Sequence, residues 1–261
     1  MPKRILPAIC DFVQVLVDGW GKPCIRDDDG CRSLQFNDGA VQSSMRVSEP
    51  FELDLSYTRA MMGFLLFNDK PQHILLVGLG GGSLSKYCYQ QLPQARITTL
   101  EINPDVIALR DEFLIPPDNE RFEVVHADAI DYLARSDLSA DIILLDGYDA
   151  EGLPKSLCTE SFYSNCWNIL STQGVLVANL WGGEPNRGIY LDRLRSIFDG
   201  RVWWGKPRNS TNLIVFAVKN QHFYPQWSRL IAKAQTLSTR YRLDLTWVLK
   251  NMRLREDPDG R

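Results

Sequence analysis

The residues in this chain that could do chemistry sit at one kind of place, just past short apolar runs. Gly78, Gly80, Gly81 and Gly82 follow Ile74–Val77, and Glu101 follows Arg96–Leu100. Asp128 and Ala129 come after Phe122–Val125, and Asp146 and Asp149 come after Ile142–Leu145. Glycines after a strand let the backbone turn tightly and let a ligand approach with no Cβ in the way. A helix starting there, here over Leu84–Leu92, offers free N–H groups and the positive end of its dipole to that ligand. An acid past the next strand, 19 residues after Gly82, can accept hydrogen bonds from both hydroxyls of a ribose. Asp128 with Ala129 is placed to meet the exocyclic amine of an adenine. Two carboxylates at a strand end can hold a cation and take its proton. Each signal also has a plainer reading. Glycine-rich strand exits make tight turns, Glu101 and Asp128 suit helix caps, and Asp146 with Asp149 could simply shape the turn around Gly147. It is their order and spacing that point to a nucleotide-type site.

The elements that must position these residues alternate. Strands are expected at Ile74–Val77, Arg96–Leu100, Phe122–Val125, Ile142–Leu145 and Val175–Asn179, with helices between them at Leu84–Leu92, Pro104–Leu114, Ile130–Ala134 and Glu160–Leu170. Asn103-Pro104-Asp105 is a good helix start, with Asn as cap and Pro at the first helical position. Such alternation implies a parallel sheet wrapped by helices through right-handed crossovers. A further helix is expected over Gly188–Phe198. RVWWGKP and NLIVFAVKN then read as two strands close enough for an antiparallel pair at a sheet edge. Pro225–Lys250 reads as one helix with Trp227, Leu230, Ile231, Ala234, Leu237 and Tyr241 on one face, packed against the sheet. Ser56–Phe67 reads as a helix too. Ahead of it, Asp11–Asp18 alternates like a strand, and the turns Asp29-Gly30 and Asp38-Gly39 suggest a meander of short strands. This divides the chain into an N-terminal β-strand module, 1–55, and a larger domain, 56–261.

Composition narrows the class of function. With 44% hydrophobic and 23% charged residues, the 261-residue chain is an ordinary globular protein. A net charge of -3 offers no basic footprint for nucleic acid. The six cysteines form no C-x-x-C pair, the three histidines lie far apart, and no metal site is expected. No apolar run is long enough for a signal peptide or a membrane span, so a reduced, cytoplasmic enzyme is expected.

The loop is G-x-G-G-G-S, with Ser83 where a dinucleotide loop has its third glycine. Together with Glu101, Asp128 and the strand-end acids, it fits an S-adenosyl donor better than NAD. At this point the chain resembles the polyamine aminopropyltransferases, the spermidine synthase family. Asp38-Gly39-Ala40-Val41-Gln42 matches the family's L-D-G-x-x-Q leader, and LLVGLGGGS its V-L-I-I-G-G-G-D-G-G loop. Leu100-Glu101-Ile102-Asn103 matches V-E-I-D, and Leu144–Ala150 matches I-x-D-S-x-D-P. Leu157–Tyr163 and Gly174–Asn179 echo two downstream blocks.

The resemblance implies a methyltransferase-like Rossmann fold: a mostly parallel seven-stranded sheet with an antiparallel edge, preceded by a small N-terminal β domain. It implies aminopropyl transfer from decarboxylated S-adenosylmethionine to an amine such as putrescine, without a metal, in a homodimer. Asp146 would be the acid-base residue, Asp149 its partner holding the amine, and Tyr57 the tyrosine of the family's Y-x-E-x-x-x-H helix. Gln42, the glycines, Glu101, Asp128 and Ala129 would hold the donor. Gly81 stands where the family carries an aspartate, and Arg59 and Gly63 stand where it carries Glu and His. Gly for Asp and Arg for Glu would shift the local charge toward tolerating the tail carboxylate of ordinary S-adenosylmethionine. A methyltransferase using that donor on a small substrate is therefore the second reading, and a non-catalytic nucleoside-binding member the third.

Overall fold

A computed structural model describes residues 22–36, 41–135, 137–149, 152–223 and 225–256. The expected strand at Asp11–Asp18 and the turn Asp38-Gly39 lie outside these residues.

The N-terminal part is a meander of β1 (Pro23–Asp28), β2 (Cys31–Phe36) and β3 (Val41–Arg46), paired antiparallel in that order. Asp29 and Gly30 make the first turn with φ of 45° and 74°. Positive φ at both central residues is what a two-residue hairpin turn requires, and Asp-Gly tolerates it best. α1 (Ser56–Met61) follows and tightens into a 3-10 turn over Met62–Leu66, so the single helix expected over 56–67 is in fact two short pieces.

The large sheet contains β4 (His73–Val77), β5 (Arg96–Glu101), β6 (Phe122–His126), β7 (Ala140–Leu145), β8 (Leu170–Leu180), β9 (Val202–Gly205) and β10 (Leu213–Val218). Its order is β6-β5-β4-β7-β8-β10-β9. Neighbours from β6 through β8 run parallel, whereas β10 is antiparallel to both β8 and β9. This is the Rossmann-like methyltransferase sheet with its antiparallel edge. β4, β7 and β10 carry near-continuous apolar runs because both faces are covered, while β5 buries Thr98 and Thr99 among its apolar residues. Ile74, Leu76, Ile142 and Leu144 pack into one cluster, and Leu75, Val77, Ile143 and Leu145 into the cluster on the other face. Leu34, Phe36 and Met45 of the small sheet belong to the first of these, so the meander is seated on the same core.

Crossovers run through α2 (Ser83–Gln91), α3 (Pro104–Ala108), α4 (Ala129–Leu133), α5 (Glu160–Ile169) and α6 (Arg187–Ile197). α3 starts as expected, Asn103 accepting from the Asp105 N–H, but it ends at Ala108 rather than Leu114. The long C-terminal helix is two helices, α7 (Trp227–Tyr241) and α8 (Leu245–Glu256). Arg242 breaks the run with a left-handed φ of 51°, and the Leu243 N–H returns to the Ser238 carbonyl, a closure that usually uses glycine. Leu230, Ala234, Leu237 and Tyr241 are buried as the stripe predicts, but Ile231 is 40% exposed. Among the described residues no helix is long and apolar enough to cross a membrane.

Candidate active site

The carboxyl ends of β4, β5, β7 and β8 open into a cleft of about 550 Å³, roofed by the small sheet and α1. Ligands of open α/β sheets bind at this edge. Gly78, Gly80, Glu101, Asp146, Asp149, Tyr57 and Gln42 all line it. Gly81, Gly82, Asp128 and Ala129 do not.

The glycine loop is built by close approach. A Cβ on Gly78, at φ 97°, would lie 2.5 Å from the Asp146 carbonyl oxygen, so only glycine lets the loop pass the end of β7. Gly82 caps α2 at φ 67°. Ser83, first in that helix, shares a 3.2 Å hydroxyl contact with Ser43 of β3, which pins the loop to the small sheet. Gly81 is not on the cleft wall. A side chain there would meet the Phe113 ring at 2.7 Å and the Ser43 hydroxyl at 2.8 Å.

Glu101 braces this loop. Its two carboxylate oxygens accept the Leu79 and Asn103 N–H groups, each at 2.9 Å. Burial pushes its pKa up, and these N–H donors oppose the shift. Asp128 accepts from the Ile130 N–H at 2.8 Å and so caps α4.

Asp146 sits at the other wall. Asn179 Nδ2 donates to its Oδ1 at 2.8 Å, and the Tyr57 hydroxyl hydrogen-bonds the same carboxylate. Desolvation outweighs both donors and raises the carboxyl to about 7. Tyr57 is held well above the ordinary tyrosine range by burial and by the Asp146 charge, so it stays a neutral donor. Its hydroxyl also lies 3.3 Å from the Gln42 carbonyl, linking α1 to β3. Asp149 Oδ1 accepts the Gly152 N–H at 2.9 Å, fixing the turn after β7.

Arg59 and Gly63 are not at the cleft. Arg59 is exposed and donates to the Leu53 and Asp54 carbonyls at 2.6 and 2.9 Å, while Gly63 is buried against Phe216 and Val248. The expectation that Arg59 alters the charge of the site is therefore corrected: α1 turns that side chain outward and offers Ser56, Tyr57 and Thr58 instead. Sequence reasoning did not single out Asn179, Tyr148, Trp181 or Asn212, which complete the wall beside Asp146. Asn179 was within reach, because it closes a strand whose neighbour bears Asp146. Asn212 was not, since its place depends on β10 inserting beside β8. Among the described residues on the cleft wall are three acids and no Lys, Arg or His.

Sheet order and strand-end cleft together define a protein of the Rossmann-like methyltransferase fold. A family model, spermine/spermidine synthase domain, matches residues 54–182. The polyamine aminopropyltransferase of Neisseria meningitidis serogroup A is 37% identical over 99% of this chain and 96% of its own length. That of Chromobacterium violaceum is 40% identical over 93% of this chain and 90% of its own. The chain belongs to the spermine/spermidine synthase family and is an enzyme of the transferase class. Among solved structures, a probable spermidine synthase from Corynebacterium glutamicum aligns with TM-score 0.69 at 19% identity, covering 92% of this chain and 91% of that one. Human methyltransferase-like protein 13 in complex with SAH aligns with TM-score 0.66 at 24% identity, covering 72% and 93%. These two likenesses concern the fold.

Proposed function

We propose that this enzyme transfers the aminopropyl group of decarboxylated S-adenosylmethionine to a small amine such as putrescine, as the names of its full-length relatives suggest. The observation that carries the reading is the charge of the cleft: three carboxylates and no cationic side chain among the described residues lining it. Both substrates are cations, the donor through its sulfonium and tail ammonium, the acceptor through its amines. Ordinary S-adenosylmethionine would bring a tail carboxylate into a wall with no side-chain countercharge.

In this reading Glu101 takes the ribose hydroxyls, while Gly78, Gly80 and Gln42 border the rest of the donor. Asp128 and Ala129 lie off the wall, so they meet the adenine only if the ligand extends beyond Ile102. Asp149 holds the acceptor ammonium and Asp146 takes a proton from the attacking nitrogen. That nitrogen then displaces the thioether in line: the new C–N bond forms as the C–S bond breaks, and the sulfonium leaves neutral. A carboxyl raised to about 7 suits this task, because a base titrating near the working pH is both available and strong enough. The ionised acid also opposes the positive charge shared by nucleophile and leaving group.

A second reading is methyl transfer from ordinary S-adenosylmethionine, since none of the glycine-loop residues on the cleft wall, Gly78, Leu79, Gly80 and Ser83, brings a carboxylate to pair with the donor tail. Calorimetric titration with both donors, together with turnover on putrescine, separates the two. Tighter binding of the decarboxylated form with aminopropyl turnover is expected. Tighter binding of the ordinary form would overturn the first reading. Self-association as a homodimer and a cytoplasmic location belong to the same proposal. The second is supported by the free thiols of Cys24, Cys31, Cys88, Cys158 and Cys166.

A further inference from the structure

Asp146 is held by a side chain that is itself held. Asn179, 3% exposed near the end of β8, spends both ends of its amide on the cleft wall. Its Nδ2 donates to Asp146 Oδ1 at 2.8 Å, and its Oδ1 accepts from Asn212 Nδ2 at 2.9 Å. Its main-chain carbonyl accepts the Tyr148 hydroxyl at 2.8 Å, so the backbone beneath the amide is fixed as well. The Asn212 N–H in turn donates to Ser210 Oγ at 3.2 Å, which anchors the loop before β10.

A primary amide has two nearly isosteric orientations, and its surroundings choose between them. Turned over, Asn179 would set its oxygen against an ionised Asp146 and its NH2 against the NH2 of Asn212. An ionised Asp146 favours this orientation by itself, and Asn212 reinforces it by holding the oxygen end of Asn179 away from the carboxylate. We propose that Asn212 is a positioning residue for the reaction: by donating to Asn179 Oδ1, it locks the amide so that Asn179 donates to Asp146 and favours the ionised base. This rests on Asp146 being that base.

The remaining groups around Asp146 do not provide this lock. Tyr57 from α1 reaches the carboxylate directly, and Tyr148 from the turn after β7 is spent on the Asn179 carbonyl. Glu101 and Asp149 stand elsewhere on the wall. The described residues on the wall include no cation.

The test is the pH profile of turnover for wild type, Asn212→Ala and Asn212→Gln, with decarboxylated S-adenosylmethionine and putrescine. Freeing the Asn179 amide should move the acidic limb of kcat up by about one pH unit. From a limb near pH 7, turnover would then fall about fivefold at pH 7 and about 1.1-fold at pH 9. Asn212→Gln, which keeps the amide donor, should restore the limb. An unmoved limb, or an equal loss at both pH values, would overturn the proposal. Carbon NMR titration of aspartate-labelled protein, with Asp146 assigned through Asp146→Asn, reads the same shift without turnover. If wild type fails to transfer an aminopropyl group, or Asp146→Asn stays active, the functional reading fails; the NMR titration then still decides whether Asn212 governs the carboxyl.

Discussion

At the scale of single residues, the proposed chemistry rests on Asp146. Asp146→Asn should lower kcat by about 10²–10⁴-fold, the usual worth of a positioned acid or base, and leave donor binding within about threefold. Steady-state kinetics beside calorimetry checks both parts, and unchanged turnover would remove Asp146 as the base. A second residue carries a different prediction. Lys86 has no exposed surface, and among the described residues its Nζ reaches the Phe113 carbonyl, at 2.6 Å, and the Met45 sulfur. Burial lowers its pKa to about 8. Between that value and the unfolded value of about 10.4, the unfolded chain binds the proton and the folded chain does not, so stability attributable to Lys86 rises with pH across this window. Below pH 8 both states are protonated and the cost of burying the ammonium is present in full. Lys86→Met should therefore flatten stability against pH between 8 and 10, and urea melts at pH 7.5, 9 and 10 would show it.

At the scale of elements, the glycine loop behaves differently from what its alignment implies. The place where the resembling family keeps an aspartate is filled here by Phe113 and Ser43, so Gly81 is a packing glycine outside the donor cavity. Gly81→Asp should not create a preference for decarboxylated donor. It should cost about 1–3 kcal/mol through overpacking, seen as a lower Tm without tighter donor binding. How much of this was legible in the sequence varies from element to element. The parallel strands were plain because short apolar runs such as Ile74–Val77 and Ile142–Leu145, buried on both faces, look alike in any context. The break at Arg242 was hidden because the chain uses neither Gly nor Pro there. The outward turn of Arg59 was hidden because Ser56–Phe67 reads as one helix, while the chain tightens after Met61. Asp146, Asp149 and Glu101 were legible from strand-end position alone; Asn212 needed the sheet order, which no local pattern encodes.

At the scale of the whole molecule, the division into 1–55 and 56–261 stands as a proposal, with the small sheet seated on the larger domain's core through Leu34, Phe36 and Met45. Sedimentation equilibrium at micromolar concentration should give twice the chain mass, and a clean monomer would remove the proposed homodimer. The insertion of β10 between β8 and β9 has a wider consequence. In the proposed assignment, the donor side of the cleft wall comes from residues 42–101 and the acceptor side, Tyr57 apart, from 146–212. The two half-sites are thus written one after the other along the gene. In that assignment the last piece, Asn209 to Asn212, rides on the loop between β9 and β10, so mutation there reaches the acceptor side while the nucleoside half stays untouched. A lineage could change its acceptor by editing that short loop, without rebuilding the enzyme around it.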